Sequence, residues 1–448
     1  MRDTIFALAT APGRAAVAVV RISGPGAGDA IDRLAGRRPL PRLAALRQLR
    51  DPATSEAVDQ ALVLWFPGPG SFTGEDVVEL HLHGGRAVIS STLEHLAALG
   101  LRPAEPGEFT RRAFEAGRLE LSQAEAIADL IDAETEAQRR QALAQLGGAL
   151  ARRYESWRGA LIEVLALFEA EIDFPDEELP GGLAEMARAP LMRLLDDITA
   201  ALRDTRGERV RDGFRIALIG GPNAGKSSLY NALVGRNAAI VTPTPGTTRD
   251  VLEATLDIAG FPVLLADMAG VRRAEDPVEA EGVRRARNWS SEADLRLWVV
   301  DRSGDAGVWA EASELLRPGD ILLLNKRDLP AGTDAAAVAH HAQGADLEIV
   351  ELTATAAGDI DRLTQTLRSR VIEAVGGQDI PAVTQLRHRR LLEEALAHID
   401  RALAELTLGA ELAAENVRLA ARAMERISGR IDADAVLDRV FASFCIGK

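Results

Sequence analysis

The chain of 448 residues holds a single cysteine, Cys445, so an internal disulfide framework is excluded and a reducing compartment is expected. No apolar run approaches the roughly 20 residues that cross a bilayer, and Met1-Arg2-Asp3-Thr4 lacks a signal-peptide pattern, so a cytoplasmic setting without a membrane is expected. Aromatic residues make up only 4%, while the helix formers Ala, Leu, Glu and Arg are frequent. Positive charge is in deficit, 52 Lys and Arg against 67 Asp and Glu, for a net charge of -15. That balance excludes a whole-surface grip on phosphate backbones, leaving a local basic patch or binding through a partner open. Internal repeats and low-complexity tracts do not stand out. The length exceeds what one core supports, so two or three domains are expected.

What is present changes texture along the chain. Ala15 to Ile22, Ala61 to Phe66 and Asp76 to Leu82 read as strands separated by Gly- and Pro-rich turns. A helix carrying Ile89, Leu93 and Leu96 on one face should follow His83-Gly84-Gly85. This predicts an α+β domain over residues 1–117. Helical spacing then takes over through Ile127, Leu130, Leu161, Leu165 and Phe168, broken by the acidic turn Asp173 to Glu178. From Phe214 short apolar strands alternate with helices, which implies a mostly parallel sheet covered on both faces. Val251 to Ile258 and Val263 to Ala266, separated by a short turn at Ala259-Gly260, should form an antiparallel hairpin. The stripe Leu392, Leu396, Ile399, Leu403 and Leu406 marks a late amphipathic helix that needs a partner. The expected fold class is multidomain α+β: the N-terminal domain, a discontinuous helical domain at 118–210 and 377–448, and an inserted Ras-like α/β domain at 211–376. Two separate helical domains remain the alternative.

Gly220-Gly221-Pro222-Asn223-Ala224-Gly225-Lys226-Ser227 fits GxxxxGK[ST], with an apolar strand entering and Ser228-Leu229-Tyr230 leaving as helix. Consecutive backbone N–H groups at a helix N-terminus suit phosphate, Lys226 should reach the β- and γ-phosphates, and the Ser227 hydroxyl should ligate Mg²⁺. A chance Gly-rich turn is the bland reading.

The run Ile321 to Leu324 feeds Asn325-Lys326-Arg327-Asp328. An Asp328 carboxylate can accept from guanine N1–H and the 2-amino group, donors that adenine lacks at those positions. Lys326 can lie along the base plane, and Thr353-Ala354 fits a backbone contact to guanine O6. A solvated turn is the default for these four letters outside such a context.

Asp267-Met268-Ala269-Gly270 places a carboxylate in the outer shell of Mg²⁺ and a glycine N–H beside the γ-phosphate, with Met268 where threonine is usual. Gly246-Thr247-Thr248-Arg249-Asp250 offers Thr248 as a second Mg²⁺ hydroxyl. Val271 stands where Ras-type enzymes place a water-orienting glutamine, so another charge must offset the negative charge growing at the β–γ bridge.

Asn223, the loop Ile240 to Asp250, Ser71 to Asp76, the acidic turn and the terminal Phe444-Cys445-Ile446-Gly447-Lys448 together resemble the MnmE (TrmE) tRNA modification GTPase family over the full length. The resemblance implies a K⁺ ion in place of an arginine finger, held by Asn223, Thr242, Thr244 and Thr247. It makes Thr242 and Thr247 nucleotide contacts as well, and Glu279 the acid that positions water through a bridging water molecule. Taken bare, the three threonines read as β-propensity in an irregular loop, and Glu279 as one acid of a solvated segment. The resemblance also implies a tetrahydrofolate derivative (5-formyl or methylene form) bound by Arg21, Glu79, Arg118 and Lys448. Arg118 departs there from the family's lysine, keeping the charge and changing the donor geometry. Cys445 reads either as a small buried residue or as a thiol near the folate.

The activity so implied is potassium-dependent GTP hydrolysis by a homodimer. With an MnmG-like FAD/NADH protein in a heterotetramer, it would add an aminomethyl or carboxymethylaminomethyl group at carbon 5 of the tRNA wobble uridine. An Era-like ribosome-assembly GTPase is the alternative, although the chain lacks the basic RNA-binding domain usual there. A degenerate nucleotide-binding scaffold is disfavoured by the intact Lys226, Ser227, Thr248 and Asp267.

Overall fold

The computed structural model describes residues 3–173, 183–236, 239–240, 252–268, 289, 291–304, 317–332, 347–377, 379–431, 438, 440–442, 444 and 446–447. The first elements are β1 (Ile5–Leu8), β2 (Val17–Ser23), α1 (Ala27–Ala35), β3 (Ala45–Arg50), β4 (Ala57–Phe66), β5 (Val77–His83), α2 (Arg86–Ala98), β6 (Arg102–Pro103) and α3 (Glu108–Glu115). Helices α4 (Leu121–Ile131), α5 (Glu136–Leu146), α6 (Ala149–Asp173), α7 (Leu183–Arg203) and α8 (Arg206–Asp212) follow. Next come β7 (Phe214–Ile219), α9 (Lys226–Arg236), β8 (Ala239–Ile240), β9 (Leu252–Ile258) and β10 (Phe261–Asp267). The remainder is β11 (Leu295–Asp301), β12 (Ile321–Asn325), β13 (Glu348–Glu351), α10 (Ala357–Val375), α11 (Leu386–Glu405) and α12 (Ala410–Ser428). Contacts divide the chain into one unit of Met1–Ala128, Gln145–Leu195 and Glu394–Lys448, and another of Asp129–Ala144 and Asp196–Glu393.

In the first unit a six-stranded sheet runs β3-β4-β5-β2-β1-β6. Its neighbours are antiparallel except for β1 beside β6. Alternate residues Val20, Ile22, Val63, Trp65, Val78, Leu80 and Leu82 face one side and bury against Ile31, Leu34 and Leu96 of the helices. The period of two thus sends Arg21 and Glu79 to the opposite face, paired in register on β2 and β5. Strands β1 and β3 and helix α1 were not anticipated. β1 is an apolar run of only four residues, and β3 exposes Leu46 while burying only Leu49, so neither shows a clean alternation.

Helices from either side of the insertion pack together in this unit. Leu150, Tyr154, Trp157, Leu161, Val164 and Phe168 form one face of α6. Helix α12 meets it with Ala413, Ala414, Val417, Ala420, Ala423, Met424 and Ile427. Small residues on α12 let the bulky α6 side chains approach closely. Arg158 donates to Glu425 at 3.0 Å, and Arg418 pairs with Glu169 at the margin. The helical domain is therefore discontinuous, with an α/β domain inserted in it. On α11 the buried stripe is Leu392, Ala395, Ile399, Ala402 and Leu406, with Leu396 and Leu403 half-buried, so its centre is rotated from the leucine stripe toward the alanines.

In the second unit the sheet order is β13-β12-β11-β7-β10-β9-β8. Pairing is parallel from β13 to β10 and antiparallel for the hairpin β9–β10 and for β8. β12 is buried at all five positions, as a strand covered on both faces must be. Successive residues supply opposite cores: Ile216, Leu218, Leu297, Val299 and Leu323 on one side, Ala217, Ile219, Trp298, Leu322 and Leu324 on the other. The hairpin turn uses Ala259 at φ 59 and Gly260 at φ 82, the paired left-handed residues that match strand twist. This sheet brings the ends of β7, β10, β11 and β12 to one edge, where the phosphate and base motifs emerge.

Candidate functional site

The P-loop leaves β7 at Ile219 and re-enters regular structure at Lys226, the first residue of α9. Both of its outer motif glycines are sterically required. A Cβ on Gly220 (φ 155) would lie 2.1 Å from the Val299 carbonyl oxygen, and one on Gly225 (φ 98) would lie 2.1 Å from Asn325 Nδ2. Asn223 adopts φ 60 and stands exposed at the tip, while Ala224 is buried beneath it.

Lys226 is buried and folds back over its own loop, its ammonium donating to the Gly220 and Gly221 carbonyls at 3.0 Å each. Burial pushes its pKa below the ordinary lysine value, against the pull of the Asp267 carboxylate. A phosphate would offer this partly desolvated cation a stronger acceptor than two amide oxygens. Ser227 Oγ donates to Asp267 Oδ2 at 2.8 Å. Asp267 ends β10 and is 5% exposed, and its Oδ1 has no hydrogen-bond partner among the described residues. An orphaned carboxylate oxygen behind a serine hydroxyl fits a hydrated Mg²⁺, which keeps several of its waters and binds through few protein oxygens. Met268 is buried in the apolar cluster with Ala217, Ile219 and Trp298, which explains why an apolar residue stands there. Ser228 follows on the exposed start of α9.

The base motif is tied directly to the P-loop. Asn325, 2% exposed, donates from Nδ2 to the Ala224 carbonyl at 2.7 Å and accepts the Ala354 N–H on Oδ1 at 3.0 Å. Lys326 (φ 61) donates to Asp301 Oδ2 at 2.6 Å. Burial pushes the Asp301 carboxyl up, but the Lys326 ammonium and the Ser303 hydroxyl and N–H outweigh it and hold it below the ordinary value. Asp328 is exposed and accepts from Thr353 Oγ1 at 3.2 Å. Both N–H groups of Thr353-Ala354 are engaged within the protein, that of Thr353 by Asp359 and that of Ala354 by Asn325. A guanine O6 would therefore share the Ala354 N–H with Asn325. Asp301 and Asp359 were not foreseen. Neither belongs to a motif, and the partners that tie them to the site, Lys326 for Asp301 and Thr353 and Arg327 for Asp359, lie on other loops.

The structure thus gathers Asn223, Ala224, Gly225, Lys226, Ser227, Ser228, Asp267, Asn325, Lys326, Asp328, Thr353 and Ala354 around one sheet edge. Thr242, Thr244, Thr247, Thr248, Gly270, Val271 and Glu279 lie outside the described residues.

A second cluster lies on the exposed face of the first unit's sheet. Arg21 Nε and Nη2 donate to Glu79 Oε1 at 3.1 and 2.9 Å, both side chains being about four-fifths buried. Phe72 and Phe109 each lie 5.8 Å from the Arg21 guanidinium. Glu79 Oε2 meets only His81 Nε2, at 3.4 Å, among the described hydrogen bonds, so one oxygen retains acceptor capacity. The end of the chain reaches this place. A Cβ on Gly447 would lie 2.3 Å from the Leu8 carbonyl oxygen, the Gly447 carbonyl lies 3.5 Å from Arg21 Nη1, and Phe441 and Phe444 pack on Leu121 and Ala124. Arg118 is exposed, with its stem beside Gly74 in the loop that carries Phe72. Cys445 and Lys448 lie outside the described residues.

Comparison with known proteins covers the whole chain. Residues 4–118 match the family model described as the GTP-binding protein TrmE N-terminus, and residues 121–445 match the MnmE helical domain. The tRNA modification GTPase MnmE of Phenylobacterium zucineum is 59% identical over 451 residues, covering 100% of both chains. Those of Caulobacter vibrioides and Maricaulis maris are 56% and 50% identical, again over 100% of each chain. Among solved structures, the G domain of the T. maritima FeoB iron transporter aligns with 36% of this chain and 97% of that chain, at 23% identity and a TM-score of 0.27. Full-length identity at this level, with an intact P-loop and guanine motif on one sheet edge, means that the chain belongs to the MnmE family of tRNA modification GTPases.

Proposed function

We propose that this GTPase is potassium-assisted and that it acts as a homodimer, with an MnmG-like FAD/NADH protein, on carbon 5 of the wobble uridine of certain tRNAs. The group added is aminomethyl or carboxymethylaminomethyl, and a tetrahydrofolate derivative supplies its one-carbon unit. The observation that carries the reading is the Asp267 Oδ1 left without a partner among the described residues behind the Ser227 hydroxyl, next to a lysine whose described hydrogen bonds go to its own loop.

In this reading the Lys226 ammonium leaves the Gly220 and Gly221 carbonyls for the β- and γ-phosphates, and loop N–H groups cradle the remaining oxygens. Ser227 and Thr248 hold Mg²⁺, with Asp267 orienting its waters. Asn223, Thr242, Thr244 and Thr247 hold K⁺. When bound, the two cations offset the negative charge that builds between the β- and γ-phosphates. Glu279 orients the attacking water, Gly270 donates its N–H to the γ-phosphate, and Asp328 selects guanine. Arg21, Glu79, Arg118 and Lys448 bind the folate. The acceptor capacity left on Glu79 Oε2 beside its His81 contact supports this, since a pterin ring presents adjacent N–H donors to a carboxylate. The absence of any described helix long and apolar enough to cross a membrane is consistent with a cytoplasmic location.

Turnover of GTP in potassium and in sodium is the direct test. The reading expects a large excess in potassium, and equal rates in the two salts would overturn the cation assignment. Mass spectrometry of tRNA nucleosides from a deletion strain should show loss of the wobble-uridine modification, and an unchanged profile would remove the substrate assignment.

A further inference from the structure

Asp359 lies in the first turn of α10, outside every nucleotide motif, and is 5% exposed. A carboxylate in a first helical turn is favoured by the helix dipole, which alone gives it no role in a site. Its partners do. Oδ2 accepts the Thr353 N–H at 2.7 Å, while Oδ1 accepts Arg327 Nη2 at 3.1 Å and Arg362 Nη2 at 2.5 Å. Thr353 in turn donates its hydroxyl to Asp328 Oδ1 at 3.2 Å, and the Arg327 N–H donates to the Leu352 carbonyl at 3.1 Å. One buried carboxylate therefore grips both loops that frame the base, 325–328 through the Arg327 side chain and 353–354 through a backbone N–H.

We propose that Asp359 is a positioning residue for guanine recognition: it fixes Thr353, whose hydroxyl aims the Asp328 carboxylate at the Watson–Crick edge of the base. The inference rests on the reading that Asp328 receives guanine. Arg327 and Arg362 are exposed and contribute little as ion pairs. Most of the effect runs through the Thr353 N–H, whose buried acceptor cannot be replaced by water without moving the loop.

The discriminating measurement compares GTP with ITP, which lacks the 2-amino group and so offers Asp328 one donor fewer. In the full-length protein Asp359→Ala should weaken GDP and GTP binding about tenfold, with KM for GTP rising more than kcat falls. Its preference for GTP over ITP should fall several-fold, because a misaimed carboxylate loses its second bond to guanine. Asp359→Asn, which keeps one acceptor for Thr353, should recover part of both. A helix-start role alone would weaken GTP and ITP equally, so an unchanged GTP-to-ITP ratio in folded Asp359→Ala overturns the proposal. Should that variant fail to fold, Thr353→Val keeps the backbone bond and removes the aiming hydroxyl. It should lower the same ratio, and an unchanged ratio there is equally fatal. The underlying reading has its own control: if Asp328→Asn leaves guanine preference as in the unaltered protein, the assignment of Asp328 fails, whatever Asp359 does.

Discussion

Replacing Asp320 should destabilise the nucleotide domain while leaving its affinity for GTP intact. The Asp320 carboxylate is 4% exposed and receives four donors: Arg296 Nε at 3.1 Å and Nη2 at 2.6 Å, Trp298 Nε1 at 3.0 Å, and the Arg317 N–H at 2.9 Å. Arg296 is 2% exposed, so its charge has no route to water once the carboxylate is gone. Breaking a buried pair from one side costs about 3–5 kcal/mol, most of it from the uncompensated charge. At about 2–4 °C per kcal/mol for a domain of this size, Asp320→Asn should lower its melting temperature by roughly 6–20 °C. Asp320 precedes β12, whereas Asn325 ends it. Five residues at about 3.3 Å separate the two ends by roughly 17 Å, so the Asn325 bonds to Ala224 and Ala354 should survive. Calorimetry with and without GDP, together with a nucleotide titration, reads both quantities. Pairing Asp320→Leu with Arg296→Met should restore much of the loss, since an apolar pair carries no stranded charge. A melting temperature within about 1 °C of the unaltered protein for Asp320→Asn, where 3–5 kcal/mol is expected, would refute the reasoning.

Two further outcomes are expected. Gly225→Ala should abolish nucleotide binding by calorimetry, because its Cβ falls 2.1 Å from Asn325 Nδ2 at a φ of 98. Acid should weaken the N-terminal domain through Asp3 and Glu108. Hydrogen bonding from Arg102 foremost lowers the Asp3 carboxyl, and burial raises that of Glu108 but is outweighed by Arg102, the Glu105 N–H and Arg112. Both folded values lie below the unfolded ones, so their stabilisation is complete above the ordinary carboxylate range and is lost as pH falls through the lowered values. Arg102→Met should flatten acid denaturation of this domain below about pH 4.5.

Where the chain was legible, a local pattern matched the physics that decides structure. β7 is bounded as its apolar run suggests, and the β9–β10 hairpin follows from its Ala259-Gly260 turn. The P-loop was readable because phosphate binding constrains consecutive residues. The N-terminal sheet was half legible. Strands β2, β4 and β5 carry apolar runs, whereas α1 is nine residues of small and polar side chains around Ile31 and Leu34. In α11 leucine hydrophobicity pointed slightly off the buried face, because close packing there favours Ala395 and Ala402. Asp301, Asp320 and Asp359 were beyond reach, since a carboxylate in the sequence does not announce a partner brought to it by a neighbouring strand or loop.

The seam between α6 and α12 has a consequence for biosynthesis. Residues 174–409 must be made before α12 exists, which at about 5–20 residues per second takes on the order of 10–50 s. Throughout that interval the Trp157 and Phe168 face of α6 has no mate, and the inserted domain has time to fold by itself. A ribosome stalled after the insertion but short of α12 would leave a finished nucleotide-binding module tethered to a sticky half-bundle, a natural client for chaperones.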